Sequence, residues 1–120
     1  ASASYSSVSG GLVNTASGFY SSVSGGSRNE ASGSISSVSG GRLNTASGGY
    51  SSVSGGGGFD VGSGNNASGE DSSVSGGLFN TASGLASSVS GGGGGTSDKG
   101  NTASGDYSSV SGGDNNEASG

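Results

Sequence analysis

Hydroxyl groups are the main side chains of this sequence that could react, and they recur at regular spacing. A Ser or Thr hydroxyl becomes a nucleophile only when a neighbouring base takes its proton or its pKa is lowered. The sequence contains no His and no Cys, and Lys99 lies between two copies of a repeat. Glu70 and Asp71 are adjacent, so an extended chain points them to opposite sides, which does not suit an acid and base pair. We therefore expect that the protein is not an enzyme.

Glycine-rich segments match ligand-binding motifs only in part. The segment 55–61 is similar to one half of a calcium-binding nonapeptide repeat, but it occurs once, and the segment 91–100 lacks the spacing. Lys99 is followed by Gly100, whereas a phosphate-binding loop requires Ser or Thr there. The sequon at Asn66 coincides with the repeated phrase, so chance explains it. We expect no metal and no cofactor.

The composition excludes an ordinary globular core. Apolar residues make up 26% of the chain, whereas globular domains draw on nearly half. The net charge of −5 argues against nucleic acid, which is bound by clustered Lys and Arg. No apolar run approaches the roughly 20 residues of a membrane span, so we expect no membrane insertion. The absence of Cys excludes disulfides and fits an extracellular location, which is the expected one.

A repeated phrase organises the whole chain. Ser6-Ser7-Val8-Ser9-Gly10-Gly11 returns in seven copies, and a shorter phrase, Asn14 to Gly18, lies between the copies. The step from one Val to the next is fifteen positions, except for two longer steps, Val53 to Val74 and Val89 to Val110. Both six-residue insertions fall in the same half of the unit, as loops do when they enlarge one edge of a coiled ladder. We expect one repeat array over 1–120, with enlarged connections at 55–65 and 91–101.

Each repeat unit consists of two similar halves. Each half reads polar, hydroxyl, apolar, Ser, Gly, and alternate side chains of a strand point to opposite faces. Val8 and Ala16 are predicted to point inward, and the hydroxyls beside them outward. Ser6 and Asn14 are predicted to share one corner, and the Gly that ends each half the other. The pattern predicts an all-β fold, a two-sided parallel β-solenoid with about seven turns of 15 residues.

The predicted core is thin. One Val and one Ala per turn are joined by a column of Asn residues, whose amides can bond from turn to turn and satisfy buried corner groups. Neighbouring turns share stability in such arrays, so seven can hold where one cannot. The predicted core residues are Val8, Val23, Val38, Val53, Val74, Val89, Val110, Ala16, Ala31, Ala46, Ala67, Ala82, Ala103, Asn14, Asn29, Asn44, Asn80 and Asn101, and Asn65 and Asn116 continue the Asn column.

The pattern Asn-x-Ala-Ser-Gly, followed after four residues by Val-Ser-Gly-Gly, resembles two groups of β-roll proteins. One comprises the heads of bacterial trimeric adhesins and tail-fibre-like surface proteins, and this resemblance implies left-handed turns and a trimer. The other is the ice-recrystallisation-inhibition (antifreeze) β-roll of ryegrass. The chain departs from the ryegrass pattern by Ala in place of Val in one half. Its unit is one residue longer than the usual adhesin unit.

Three surfaces are candidates for function. We call the Ser-x-Ser residues that flank each Val the serine grid: Ser7, Ser9, Ser22, Ser24, Ser37, Ser39, Ser52, Ser54, Ser73, Ser75, Ser88, Ser90, Ser109 and Ser111. The opposite face carries Thr15, Ser17, Thr45, Ser47, Thr81, Ser83, Thr102 and Ser104. A corner column, here called the tyrosine strip, consists of Tyr5, Tyr20, Ile35, Tyr50 and Tyr107.

These surfaces predict binding rather than catalysis. Stacked aromatic residues at a corner either pack consecutive turns of one chain together or form an apolar strip that is the interface of a trimer or a fibre. A flat, uncharged grid of hydroxyls can order water in register with ice. We expect an extracellular structural or adhesin-like protein whose partner is a second copy of itself. The alternatives are a secreted ice-binding protein that uses the serine grid, and a surface that binds a cell-surface or glycan ligand.

Overall fold

The computed structural model describes residues 1–60, 62–94 and 100–120. Every strand in these ranges is two residues long, one hydroxyl, acid or amide residue followed by one apolar residue. The strands are β1 Ser7–Val8, β2 Thr15–Ala16, β3 Ser22–Val23, β4 Glu30–Ala31, β5 Ser37–Val38, β6 Thr45–Ala46, β7 Ser52–Val53, β8 Asn66–Ala67, β9 Ser73–Val74, β10 Thr81–Ala82, β11 Ser88–Val89, β12 Thr102–Ala103, β13 Ser109–Val110 and β14 Glu117–Ala118.

The strands form two parallel sheets that the chain visits in alternation. The odd-numbered strands make one seven-stranded sheet and the even-numbered strands the other. Equivalent residues of consecutive turns are paired: Ser7 with Ser22 and Val8 with Val23. The register persists across both insertions, where Val53 pairs with Val74 and Ala82 with Ala103. This confirms the predicted two-sided parallel β-solenoid.

The core lies between the two sheets and contains only Val and Ala. The Val residues of β3 to β11 are 0–1% exposed, and the Ala residues of β2 to β12 are 0% exposed. Val8 and Ala118 are partly buried against this cluster. The residue before each core residue faces outward because side chains alternate along a strand. The predicted inward column of Val and Ala is therefore the hydrophobic core of the described chain.

The corners differ from the sequence-based prediction. Ser6 and Asn14 do not share a corner: Asn14 donates a hydrogen bond to Gly10, whereas Ser21, the counterpart of Ser6 in the next turn, donates one to Gly18. The chain reverses direction between the two sheets, so the end of one half-repeat and the start of the next meet at one corner. The solenoid thus has an Asn corner at residues 10–14 of its first turn and a Ser corner at residues 18–21 between its first two turns.

Glycine permits the backbones of adjacent turns to approach closely at the Ser corner. A Cβ built on Gly33 would overlap the carbonyl oxygen of Gly48 in the next turn. At the Asn corner the close approach is made by Gly26, whose Cβ would overlap Gly41 O, and not by Gly25, which has open space around it. The second Gly of the repeated phrase is thus the one that the stack requires.

Both insertions leave the solenoid at the Asn corner. Before the first insertion, Gly57 N donates to Gly77 O at 2.8 Å, and Asn65 resumes the column after it. Before the second insertion, Gly93 N likewise donates to Gly113 O, and Asn101 resumes the column after it. The predicted enlarged connections at 55–65 and 91–101 are described in part, because Val61 and residues 95–99 lie outside the described ranges.

We expect Gly33→Ala to lower the free energy of unfolding by about 1–3 kcal/mol or more, because the methyl group of the introduced Ala would overlap the backbone of the next turn. Gly40→Ala provides a matched control, because nothing lies within 4 Å of a Cβ at that position. Its expected effect is within about 0.5 kcal/mol. Thermal unfolding followed by circular dichroism measures both, and equal melting temperatures for the two variants would contradict the stacking geometry.

Candidate functional surfaces

The serine grid forms one uncharged face of the solenoid. Its first Ser in each turn lies in an odd-numbered strand and is half-buried or exposed, and its second Ser is exposed throughout. Ser37 pairs with Ser22 on one side and with Ser52 on the other, so the hydroxyls stand in columns. Adjacent members of a column are separated by about 4.8 Å, the spacing of paired strands. The grid is a regular array of small hydroxyl groups with no interrupting side chain.

The opposite face has the same register but an irregular composition. Thr15, Thr45, Thr81 and Thr102 occupy its strands, and Ser17, Ser47, Ser83 and Ser104 follow them as exposed residues. Glu30 pairs with both Thr15 and Thr45, and Glu117 pairs with Thr102. Asn66 stands between Thr45 and Thr81, and its Oδ1 atom is buried without a hydrogen-bond partner in the described chain. Charge and side-chain length therefore break this face, whereas the serine grid is continuous.

The Asn column runs along the Asn corner as a continuous ladder of side-chain hydrogen bonds. Asn44 Nδ2 donates to Gly40 O in its own turn at 2.8 Å and to Gly56 O in the next turn at 3.0 Å. Asn44 Oδ1 accepts a bond from Asn65 N at 2.9 Å, and Asn44 N donates to Asn29 Oδ1 at 3.0 Å. Asn65, Asn80 and Asn101 repeat this arrangement. Each Asn in the middle of the column thus links corner groups of three successive turns.

A column of buried Ser residues at the Ser corner was missed in the sequence. Ser21 N and Ser21 Oγ both donate to Gly18 O, at 3.1 and 2.7 Å, and close a four-residue turn. Ser36, Ser51 and Ser72 make the same hydroxyl bond. A Ser precedes the Ser-Val pair in every turn, from Ser6 to Ser108, but the exposed Ser residues of the serine grid are equally constant, so constancy alone does not indicate burial. At Ser21, Ser36, Ser51 and Ser72 the buried hydroxyl closes the turn, whereas the buried hydroxyls of Ser87 and Ser108 have no hydrogen-bond partner in the described chain.

The tyrosine strip lies on the Ser corner in an unfavourable backbone conformation. All five of its residues have positive φ, between 57° and 58°. Only Gly, and more rarely Asn or Asp, adopts this left-handed region at little cost, and other residues pay about 1–2 kcal/mol each. A β-branched residue there, such as Ile35, is an outlier. The chain places Tyr and Ile in this conformation although it is otherwise rich in Gly.

The side chains of the tyrosine strip are exposed. Their exposed fractions are 74% for Tyr5, 51% for Tyr20, 45% for Ile35, 57% for Tyr50 and 77% for Tyr107. Only Tyr5 and Tyr20 stack on each other, with ring centroids 4.7 Å apart and an interplanar angle of 7°. Phe19 packs edge-on against both rings. Intramolecular stacking therefore explains the first two Tyr residues of the strip but not Ile35, Tyr50 or Tyr107.

The Asn corner carries a less regular set of apolar residues. Leu12 and Val13 are exposed, whereas Leu78 and Phe79 are half-buried beside an insertion. The guanidinium carbon of Arg42 lies 5.3 Å from the centroid of the Phe59 ring. The residue that precedes Asn in each uninterrupted turn also has positive φ, as it does at Val13, Arg28, Leu43, Phe79 and Asn115.

The described residues contain no group of three or more His, Cys, Asp or Glu side chains that could hold a metal ion. Within the same ranges no pocket is present, and no helix is long and apolar enough to cross a membrane. Comparison of the sequence with protein-family models and with curated proteins finds no match. The candidate sites are the surfaces described above, and their chemistry follows from the columns of side chains that the solenoid repeats.

We expect Asn44→Asp to destabilise the protein by at least about 1–3 kcal/mol, because a buried carboxylate would face two carbonyl oxygens that now accept hydrogen bonds. Burial raises the pKa of such a carboxyl group above its unfolded value, so protonation favours the folded state. The stability deficit should therefore shrink as the pH falls from 7 towards 4. Melting temperatures of both proteins across this range measure it, and a deficit independent of pH would contradict the buried ladder.

Asn66→Thr is the matched control for that substitution. It removes an amide whose Oδ1 atom has no partner in the described chain and restores the Thr of the neighbouring turns. Its stability should equal or exceed that of the parent chain at every pH.

Proposed function

We propose that this protein is an extracellular, adhesin-like structural rod whose copies associate side by side through the tyrosine strip. The observation that carries the proposal is the combination of exposure and backbone strain at Ile35 and Tyr50. Gly or Asn at these positions would adopt the backbone conformation at lower cost, and about half of each side chain, 45% of Ile35 and 57% of Tyr50, stays exposed. Residues kept at a cost to folding are expected to contribute to binding.

The distribution of charge along the Ser corner favours a parallel arrangement of the copies. The first four turns present Tyr5, Tyr20, Ile35 and Tyr50 without a charged residue at this corner, whereas the later turns present Leu85 and Tyr107 together with acids at Glu70, Asp71 and Asp106. Antiparallel copies in full overlap would set the acids of one chain against the aromatic rings of the other. Parallel copies bring the apolar halves together, and the acidic halves then repel one another. Added salt should strengthen the association by screening that repulsion.

A three-fold arrangement suits a narrow strip better than a pair does. The four strip residues from Tyr5 to Tyr50 extend over about 14 Å at the spacing of paired strands. Two such strips bury far less than the roughly 800 Å² per partner of a standard interface. Three copies around a common axis also bring the flanks of the Ser corner into contact. A trimer is also what the resemblance to adhesin heads implies.

The test replaces Ile35 and Tyr50 together by Asn, a residue that accepts positive φ and already stands at Asn115 with a φ of 58°. We expect the double variant to associate about 100-fold more weakly, since two apolar side chains each contribute about 1.5 kcal/mol. Its folding stability should stay equal or rise. Sedimentation velocity across a range of protein and salt concentrations measures association, and thermal unfolding measures stability.

The matched control replaces Val13 and Leu43 by Asn, which changes two residues of positive φ at the opposite corner. This variant should associate as the parent chain does. Two outcomes would count against the proposal: a parent chain that stays monomeric at about 1 mM, or equal loss of association in both double variants.

The serine grid supports a second candidate function, the binding of ice by a secreted protein. The specific observation is the unbroken register of Ser on Ser along one face, in contrast to the opposite face with Glu30, Asn66 and Glu117. Ordered water bound at such a repeat can match a lattice over several turns. The two functions use different surfaces of the same solenoid, so separate variants distinguish them.

For this second candidate we expect Ser39→Tyr with Ser54→Tyr to abolish any shaping of ice crystals, because two bulky rings would interrupt the flat grid. The control is Ser47→Tyr with Ser68→Tyr, two exposed positions in neighbouring turns of the opposite face. Microscopy of slowly growing ice crystals gives the readout. Crystals that the parent chain leaves unshaped would exclude ice binding, and equal loss in both variants would exclude the serine grid as the ice-binding face.

A further inference from the structure

We propose that Tyr5 and Tyr20 form a site for oxidative cross-linking, at which a covalent dityrosine bond joins two consecutive turns of the solenoid. This inference goes beyond the proposed function and does not rest on it, because it requires only the geometry of a single chain. Its co-reactant is a peroxide, activated by a haem peroxidase.

The composition directs oxidation to tyrosine. The sequence contains no Cys, Met, Trp or His, the other side chains that oxidise readily, and it contains four Tyr residues. All four lie in the tyrosine strip, and each is at least half exposed. An external one-electron oxidant therefore meets phenols and no competing side chain.

Only one pair of these phenols lies in adjacent turns. Tyr5 and Tyr20 stack in parallel at 4.7 Å between ring centroids. The turn that carries Ile35 lies between those of Tyr20 and Tyr50, so the backbones of these two Tyr residues are two strand spacings, or about 9.6 Å, apart. Asp71 and Ala86 separate Tyr50 from Tyr107 by two further turns. The ladder bond from Tyr20 N to Ser4 O, at 3.2 Å, holds the first pair in register.

The chemistry of the step balances with one peroxide molecule. Each phenol loses one electron and one proton to the activated haem and becomes a phenoxyl radical. The two radicals join through a carbon–carbon bond between ring positions next to the hydroxyls, and a proton shift restores both aromatic rings. Hydrogen peroxide takes up the two electrons and two protons and leaves as two molecules of water. The product has lost two hydrogen atoms.

The adjacent position of the two rings should make the intramolecular reaction dominant. Groups held close together react as if present at about millimolar concentration or more. At about 10 μM protein, coupling within one chain should therefore exceed coupling between chains by about 100-fold. Phe19, packed edge-on against both rings, further limits their rotation away from each other.

Trypsin separates the possible products, because it cleaves after Arg28, Arg42 and Lys99. Tyr5 and Tyr20 fall in peptide 1–28, Tyr50 in 43–99 and Tyr107 in 100–120. The experiment oxidises the full chain with peroxidase and hydrogen peroxide, follows dityrosine fluorescence, and maps the digested product by mass spectrometry. We expect peptide 1–28 to lose two hydrogen atoms and to resist fragmentation between residues 5 and 20.

Three variants make the test decisive. Tyr20→Phe should abolish the cross-link in peptide 1–28, whereas Tyr50→Phe should leave its yield unchanged. The exchange Tyr20→Ile with Ile35→Tyr keeps the same composition but moves the adjacent pair to positions 35 and 50. The cross-link should then join peptides 29–42 and 43–99.

Three results would overturn the proposal. The first is that dityrosine in the parent chain joins different tryptic peptides and is absent within peptide 1–28. The second is that Tyr50→Phe loses the cross-link of peptide 1–28 to the same extent as Tyr20→Phe. The third is that the cross-link of the exchange variant does not move to peptides 29–42 and 43–99. Failure of side-by-side association in the sedimentation experiment leaves the prediction for peptide 1–28 unchanged, so the two proposals fail separately.

Discussion

The close stacking of backbone on backbone between consecutive turns is the constraint on which the whole molecule depends. The core supplies one Val and one Ala per turn, too little apolar surface to order a whole turn unaided. The hydrogen-bond ladders of the two sheets and the Asn corner supply the rest. At the corners, consecutive turns come this close because glycine lets the chains approach, as at Gly33, where any side chain would overlap the next turn. The Gly residues that make these close contacts are thus a packing requirement of an ordered stack, whereas the first Gly of the repeated phrase, such as Gly25, has open space around it.

The Asn column fixes the register in which consecutive turns stack. A buried amide offers two donors and one acceptor, and the turn geometry of Asn44 engages all three within the stack. A slip of one residue would leave these groups unpaired in an apolar environment, which costs more than a lost surface contact. The register of Val on Val and Ser on Ser is therefore set at a corner. The continuous columns of the serine grid follow from that register.

The same rigidity explains how the Ser corner can hold side chains in a costly conformation. The turn that ends at Ser21 is closed by two bonds to Gly18 O and stacks on identical turns above and below. Its third residue must adopt positive φ whatever its side chain, so Tyr20 and Ile35 are held with their side chains pointing into solvent. Both proposals rest on this arrangement, one on the exposed side chains along the corner and the other on the stacked rings of Tyr5 and Tyr20.

The sequence by itself determined the solenoid, its period and its core, because a two-residue alternation that returns in every turn leaves one inward column in each sheet. The Asn column was also predictable, because an Asn that recurs at the same position of every turn is expected to bond the same buried corner groups in each turn. The placement of the corners depended on the tertiary structure. Ser6 and Asn14 are separated because the chain reverses between the sheets, a relation between segments that the half-repeat similarity conceals.

The buried Ser column and the strained tyrosine strip also became clear only in three dimensions. Ser is small and polar, so its type does not distinguish an exposed hydroxyl such as Ser24 from a buried one such as Ser21. Tyr and Ile disfavour positive φ, so no local preference indicates the conformation that Tyr20 and Ile35 adopt. Stacking on neighbouring turns decides both, because the energy of many repeated backbone contacts exceeds the preference of any one residue.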